Sequence, residues 1–148
     1  MKNLNFNTKI SAPVKKVWGT MLKQDTYKKW TNAAWPGSMY VGEWQQGENI
    51  RFVGANGSGT LANLTTVEPY KHIKAIHTAI LLEGGTEDRD SEMAKSWVGS
   101  IEEYTFSEKN GVTDLSVSMT IYPQWEQMFS NDWPKALAAL KDLCEENN

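Results

Sequence analysis

The stretch 115–121, Leu-Ser-Val-Ser-Met-Thr-Ile, is apolar at every second residue. Such strict alternation predicts a β-strand with one face in the core and the other in water. The period then changes, because apolar residues recur every three or four positions from Trp125 to Cys144, which predicts a C-terminal helix. Pro134 lies inside this run, so we expect it to kink the helix or to begin a second helical segment.

Alternation and turn residues predict further strands before residue 115. We place them at 4–10, 39–44, 50–53, 60–67, 72–82 and 97–107, with hairpin turns at Asn56-Gly57 and Asn110-Gly111. The polar segment 83–95 is predicted to be a mobile surface loop.

Two short helices are predicted between the first two strands. Pro13 is typical of a first helical position, and apolar residues follow it at helical spacing up to Leu22. Asp25 can cap a second short helix that carries Tyr27 and Trp30. The order is therefore a strand, two helices, about six strands and a helix. This order predicts an α+β fold in which a curved antiparallel sheet packs against the C-terminal helix.

Composition narrows the possible functions. The net charge of −3 argues against a nucleic-acid partner, which would need a basic face. No apolar run approaches the length of a membrane span, and the N-terminus is unlike a secretory signal. With the single Cys144, which fits a reducing compartment, these features lead us to expect a cytoplasmic protein of one domain, residues 1–148. The two histidines and the cysteine lie on different predicted elements, so we expect no metal site and no cofactor.

Several segments resemble one known superfamily. Residues 10–18, Ile-Ser-Ala-Pro-Val-Lys-Lys-Val-Trp, resemble the I-x-A-P-x-x-x-V-W start of START-like (SRPBCC) domains. Residues 27–30, the run from Gly59 to Pro69 and the closing segment 132–141 are similar to the group named for the activator of the 90-kDa heat-shock protein ATPase.

This resemblance implies a helix-grip fold, with a sheet of seven strands or fewer and a cavity between sheet and C-terminal helix. It transfers no catalytic residue to this chain. The superfamily includes lipid and hormone binders, cyclases and a co-chaperone domain, so the resemblance implies a fold more than an activity.

We predict a ligand site in the space between sheet and helix. The candidate ligand-binding residues, chosen as aromatic or inward-facing side chains, are Trp30, Trp35, Phe52, His77, Tyr104, Met119 and Phe129. We assign Trp18, Trp125 and Trp133 mainly to the core.

His77 is the most informative candidate, since it faces inward if Ile73 and Ala75 do. A register shift of one residue would bring Ile76 and Thr78 inward instead, and we favour a core or edge histidine whose ring is satisfied by backbone groups.

Glu102 and Glu103 must point to opposite faces of their strand. We expect the inward one to reach water at an edge. A position beside Arg51 or His77 would be a sign of function.

The predicted function is binding of a small hydrophobic molecule. One alternative is a cyclase or dehydratase acting on a polyketide-like substrate, which needs His77 and an inward Glu or Tyr within about 3 Å of one ligand atom. The other alternative is a co-chaperone-like interaction module. The sequence leaves the ligand, any chaperone partner and the oligomeric state open.

Overall fold

A curved antiparallel sheet forms the centre of the fold in the computed structural model, which describes residues 1–146. Seven strands follow one another in the order β1-β8-β7-β5-β4-β3-β2, and the short β6 pairs with β5 outside this order. The strands are β1 (Lys2–Ile10), β2 (Met39–Val41), β3 (Asn49–Val53), β4 (Gly59–Glu68), β5 (His72–Leu81), β6 (Glu87–Asp88), β7 (Ile101–Lys109) and β8 (Val112–Ile121).

Four helices complete the fold: α1 (Val14–Leu22), α2 (Gln24–Asn32), α3 (Glu92–Lys95) and α4 (Glu126–Glu145). The long α4 contacts β1, α1 and α2. Its buried residues recur every three or four positions and are Phe129, Trp133, Ala136, Leu137, Leu140 and Cys144. The predicted α+β fold of the helix-grip type is therefore confirmed. Within residues 1–146, no helix combines the length and the apolar character needed to cross a membrane.

The curvature of the sheet has a local origin in β4 and β5. The register between these strands shifts twice, between Leu61 and Ala62 and again between Leu64 and Thr66. Each such irregularity bends a strand and increases its twist. The sheet can therefore wrap partly around α4 and leave one end of the inner face uncovered by helix.

Pro134 does not divide the C-terminal helix, so the second helical segment, one of the two expected alternatives, is wrong, while a kink at Pro134 stays a prediction. α4 runs without interruption from Glu126 to Glu145, after a 3₁₀ turn at Pro123–Trp125. Proline removes its own N–H from the helix, which leaves the carbonyl of Ser130 without that donor, and its ring crowds the same carbonyl. Ser130 is exposed, so water can reach this part of the backbone, while buried residues on both sides of Pro134 hold the helix together.

Three predicted boundaries also need correction. The strand predicted from Trp97 begins at Ile101, the strand predicted over 39–44 ends at Val41, and the predicted loop 83–95 contains a 3₁₀ turn, β6 and α3. Local hydrogen bonds explain α3, because the Ser91 hydroxyl accepts a bond from the backbone N–H of Ala94 at 3.1 Å. Such a cap satisfies a donor that a helix start leaves unpaired.

β3 and β4 approach each other closely at Gly59. A Cβ atom added there would lie 1.9 Å from the backbone oxygen of Phe52 and 2.9 Å from the Cα of Val53. Both neighbours are backbone atoms, so a side chain at residue 59 would force the two strands apart. By contrast, a Cβ at Gly19 in α1 would meet nothing within 4 Å.

We predict that Gly59→Ala lowers the free energy of unfolding by about 2–4 kcal/mol, because backbone must move to relieve the overlap. The matched Gly19→Ala variant should raise it by about 0.5–1 kcal/mol, since alanine favours a helix interior over glycine. Urea unfolding of both variants measures these changes. A Gly59→Ala protein as stable as wild type would contradict the close approach of the strands.

Candidate functional site

The site begins where β5 changes its partner. β5 pairs with β7 from His72 to Ile76 only. At His77 the pairing ends in two backbone bonds of 2.8 Å, from the N–H of His77 to the carbonyl of Ser100 and from the N–H of Gly99 to the carbonyl of His77. β5 then continues to Leu81 beside β4 and β6. Residues 82–100 thus leave the main order of the sheet and form a wall beside its inner face.

A pocket of about 640 Å³ lies between this wall, the sheet, α2 and the first half of α4. Five of the seven tryptophans line it. The aromatic residues of its lining are Tyr27, Trp30, Trp35, Phe52, Trp97, Tyr104, Trp125, Phe129 and Trp133. Methionines 39, 93 and 128 also line the pocket, and Met93 and Met128 are exposed to solvent. Its volume falls within the usual range of small-molecule sites.

The aromatic wall is held by ring-to-ring packing. The centroids of Trp35 and Trp133 lie 5.2 Å apart, and Trp97 lies 5.6 Å from Phe129 and 5.8 Å from Trp125. The Trp35 and Trp125 pairings are edge-to-face, which favours a fixed arrangement of the rings. Hydrogen bonds add to this order, since the indole N–H of Trp35 donates to Asp132 at 3.2 Å and that of Trp125 donates to the Ser96 carbonyl at 2.9 Å.

A hydrogen-bonded set of three polar side chains lies at the sheet side of the pocket. The Glu102 carboxylate contacts Nε2 of His77 at 2.8 Å through one oxygen and accepts a bond from the Tyr104 hydroxyl at 2.6 Å through the other. Glu102 and Tyr104 are two residues apart on β7, so they share the inner face, and His77 projects from neighbouring β5. Glu102 is the only charged residue among the described residues that line the pocket.

The environment of Glu102 favours its ionised form. Burial acts to raise the pKa of this carboxyl group. The hydrogen bond from His77, the charge of that ring when protonated and the hydrogen bond from Tyr104 act in the opposite direction and prevail, so the pKa lies below its usual value. Burial and the nearby Glu102 charge raise the pKa of Tyr104 and of Tyr27, so both phenols stay protonated well beyond neutral pH.

Most of the predicted site residues come together in this pocket. Trp30, Trp35, Phe52, Tyr104 and Phe129 line it, whereas His77 and Met119 do not and are almost fully buried beneath its surface. His77 faces inward as alternation indicated, but its side-chain partner is Glu102, not the backbone group that we favoured.

Glu102 is the glutamate that faces inward, and it is largely buried. The expectation that the inward acid would be exposed to water at a sheet edge is therefore wrong. The Glu102 side chain is 13% exposed. Glu103 points to the other face, where it contacts Nε2 of His72. Trp125 and Trp133, assigned to the core, line the pocket together with Trp97 and Tyr27.

Three buried nitrogens around the site have no hydrogen-bond partner in the described chain: Nδ1 of His77 and Nε1 of Trp97 and Trp133. These atoms are covered, so a molecule in the pocket contacts the rings of Trp97 and Trp133 and none of the three nitrogens. His77 consequently acts on the pocket through Glu102. Among residues 1–146, no group of three or more His, Cys, Asp or Glu side chains is arranged to hold a metal ion.

Several proteins of known structure have a fold similar to that of this chain. The chain is similar over its whole length to the Aha1 dimer of Colwellia psychrerythraea, with 22% identity, 99% of that chain covered and a TM-score of 0.75. It is also similar to protein MLL2253 of Mesorhizobium loti, with 13% identity, 99% of both chains covered and a TM-score of 0.78.

A third similar structure is DynU16, a protein of the dynemicin biosynthetic locus. The identity is 14%, the TM-score is 0.70, and all of this chain matches 49% of that one. Identities this low show a shared fold alone. No protein among those with curated functions matches the sequence.

The family model described as "Activator of Hsp90 ATPase homolog 1-like protein" matches residues 11–145, which is nearly the whole chain. The match includes the Ala-Pro start of α1, every strand from β2 to β8 and the whole of α4. This chain therefore belongs to the Activator of Hsp90 ATPase homolog 1-like protein family.

Proposed function

We propose that this protein binds a small, mainly apolar molecule in the pocket between the sheet and α4. The observation that carries the proposal is the pocket of about 640 Å³ with its wall of tryptophan, tyrosine and phenylalanine rings. A fully packed interior would have no such space, and aromatic rings bind flat or apolar molecules with little loss of side-chain freedom.

The residues proposed to contact the ligand are those of the predicted set that line the pocket: Trp30, Trp35, Phe52, Tyr104 and Phe129. His77 and Met119 are buried beneath these lining residues. Cytoplasmic location, a single domain and the absence of a nucleic-acid partner belong to the same proposal. The likeness to a protein of a biosynthetic locus favours a small-molecule role, and the aromatic pocket of this chain supports it more strongly.

An enzyme is a second candidate, because His77, Glu102 and Tyr104 form a hydrogen-bonded set, of which Glu102 and Tyr104 line the pocket. The cyclase or dehydratase hypothesis needs His77 and one of the other two groups within about 3 Å of one ligand atom, which stays a prediction. Their mutual distances of 2.8 and 2.6 Å are those of a connected acid–base set. The lowered pKa of Glu102 weighs against catalysis, since a strongly ionised carboxylate is a weak general base at neutral pH. We therefore place binding before catalysis.

The family description favours a third candidate, a co-chaperone-like module acting on a 90-kDa heat-shock protein. This role would use an outer surface and does not need the pocket. An ATPase assay with the cognate chaperone separates it from ligand binding. Failure to stimulate the ATPase would remove this candidate and leave the binding proposal intact.

We predict that Trp35→Ala weakens binding of a neutral apolar probe such as N-phenyl-1-naphthylamine by about 2- to 10-fold, because one aromatic wall of the pocket is lost. The matched control is Trp18→Ala, since Trp18 is also half-buried but packs against Tyr70 and Phe106 away from the pocket. Probe fluorescence titrations measure both affinities. Equal weakening by the two variants would contradict the proposed site, as would a wild-type protein that binds no apolar probe.

We also predict that wild-type stability decreases as pH falls through the folded-state pKa of Glu102, which lies below the ordinary glutamate range. A lowered pKa stabilises the fold above the unfolded-state pKa, and this contribution disappears in acid. Glu102→Gln should be less stable than wild type near pH 7 by about 1–3 kcal/mol, and the difference should shrink towards pH 3. Denaturant unfolding between pH 3 and 7 measures it. Parallel curves would show that folding does not shift the pKa of Glu102 and would contradict the prediction.

A further inference from the structure

We propose that the ligand carries a positively charged nitrogen, as in a protonated aromatic or alkyl amine, and that this nitrogen binds against the carboxylate of Glu102. This inference rests on the proposed binding function and names the chemical class of the ligand. It follows from the charge, the free acceptor sites and the aromatic surroundings of Glu102.

Among the described residues, the pocket lining carries a negative charge and no positive one. No lysine or arginine is among the described residues that line it. Arg51 lies on the neighbouring β3 but directs its guanidinium to Glu87, at 3.1 Å, and to the carbonyl of Gly85. A carboxylate or phosphate ligand would therefore meet a negative carboxylate without a compensating cation. A cationic ligand would meet its counter-charge.

His77 holds the carboxylate in place from beneath the pocket surface and does not line the pocket, so a bound molecule meets Glu102 and not the ring. Nδ1 of His77 is buried and has no partner among the described residues. Because an ionised carboxylate can only accept hydrogen bonds, Nε2 of His77 donates to Glu102. The ring is packed 5.0 Å from Trp97 and 6.0 Å from Phe52, measured between centroids, so its orientation is fixed. His77 is a positioning residue for Glu102.

Glu102 also retains capacity for a further partner. An ionised carboxylate offers about four acceptor sites, and His77 and Tyr104 occupy one on each oxygen. The side chain remains 13% exposed and lines the pocket, so the free sites are accessible from it. A buried carboxylate with unused acceptor sites is costly, and an ammonium group that donates to it offsets this cost.

The aromatic rings favour the same ligand class. A cation over the face of a tryptophan or tyrosine is attracted by the ring electrons, and tryptophan gives the strongest attraction. Trp30, Trp133 and Tyr27 line the pocket together with Glu102. The centroids of Tyr27 and Trp30 are 5.3 Å apart, and those of Trp30 and Trp133 are 6.2 Å apart. A carboxylate beside several such rings is the usual chemistry of an organic-cation site, whereas neutral apolar ligands need only the rings.

The test uses three probes of nearly the same shape: 2-naphthylmethylammonium, 2-naphthalenemethanol and 2-naphthoate. Isothermal titration at pH 7 should show that the wild-type protein binds the ammonium probe about 5- to 30-fold more tightly than the alcohol, and the carboxylate most weakly. In Glu102→Gln the ratio of ammonium to alcohol affinity should fall close to one. In Glu103→Gln, which removes the same charge from the opposite face of β7, the ratio should stay at the wild-type value.

Tyr104→Phe provides a second variant in case Glu102→Gln does not fold. It removes one donor from Glu102 but keeps the carboxylate, so the preference for the ammonium probe should persist. Equal binding of the alcohol and the ammonium probe by wild type would overturn this inference and leave the proposed function standing. A preference that survives in folded Glu102→Gln would also overturn it. Binding of none of the three probes would instead count against the proposed function itself.

Discussion

The site depends on a single constraint, the change of partner that β5 undergoes at His77. Up to Ile76 the strand is paired with β7, and beyond His77 it is paired with β6. If β7 continued along β5, Trp97 would be a strand residue and residues 82–100 could not form a side wall. This change of partner therefore creates the pocket. It also places His77 where its ring can reach Glu102 on β7.

The inner face of the sheet has two regions, a packed core beneath α4 and an open pocket lined by aromatic rings. Near β1 and β8 the face is filled by α4, and the packing is that of an ordinary core, with Leu115, Ile121 and Leu140 fully buried. Towards β3 and the end of β5 the helix no longer covers the sheet, and aromatic rings surround an open space. A polar set with a buried carboxylate adds little stability compared with a well-packed apolar core. Its location at the junction of these two regions suits recognition better than folding.

Much of the fold could be predicted from periodicity. Alternation over 72–82 placed His77 on the inner face, and the three-and-four pattern after Trp125 defined the buried face of α4. Trp30 and Trp35 were predicted from their position beside a loop, and Phe52, Tyr104 and Phe129 as aromatic side chains facing the space between sheet and helix; all five line the pocket. The second helical segment after Pro134 was wrong for an energetic reason: the lost hydrogen bond and the crowded Ser130 carbonyl lie at an exposed turn and are outweighed by apolar contacts before and after it.

The missed features depend on contacts between distant segments. Trp97 to Ser100 has the composition of a strand, and only the pairing of β5 with β6 shows that these residues must leave the sheet. The burial of Glu102 depends on the register between β5 and β7, which alternation within one strand cannot supply. One signal was present in the sequence: Glu102 and Tyr104 share a face by their spacing, so an inward Glu102 has a hydroxyl partner beside it.

Family membership and pocket chemistry answer different questions in this protein. The segments that carry the family resemblance, such as the start of α1 and the end of α4, build the core between helix and sheet. Of the polar set, none lies in those segments, since His77, Glu102 and Tyr104 belong to the middle of β5 and the first half of β7. Relatives with 13–22% identity can therefore keep the same fold while the residues around the pocket change. The role of a member of this family depends on its own lining residues, and in the described part of this chain the lining combines aromatic rings with one carboxylate, that of Glu102.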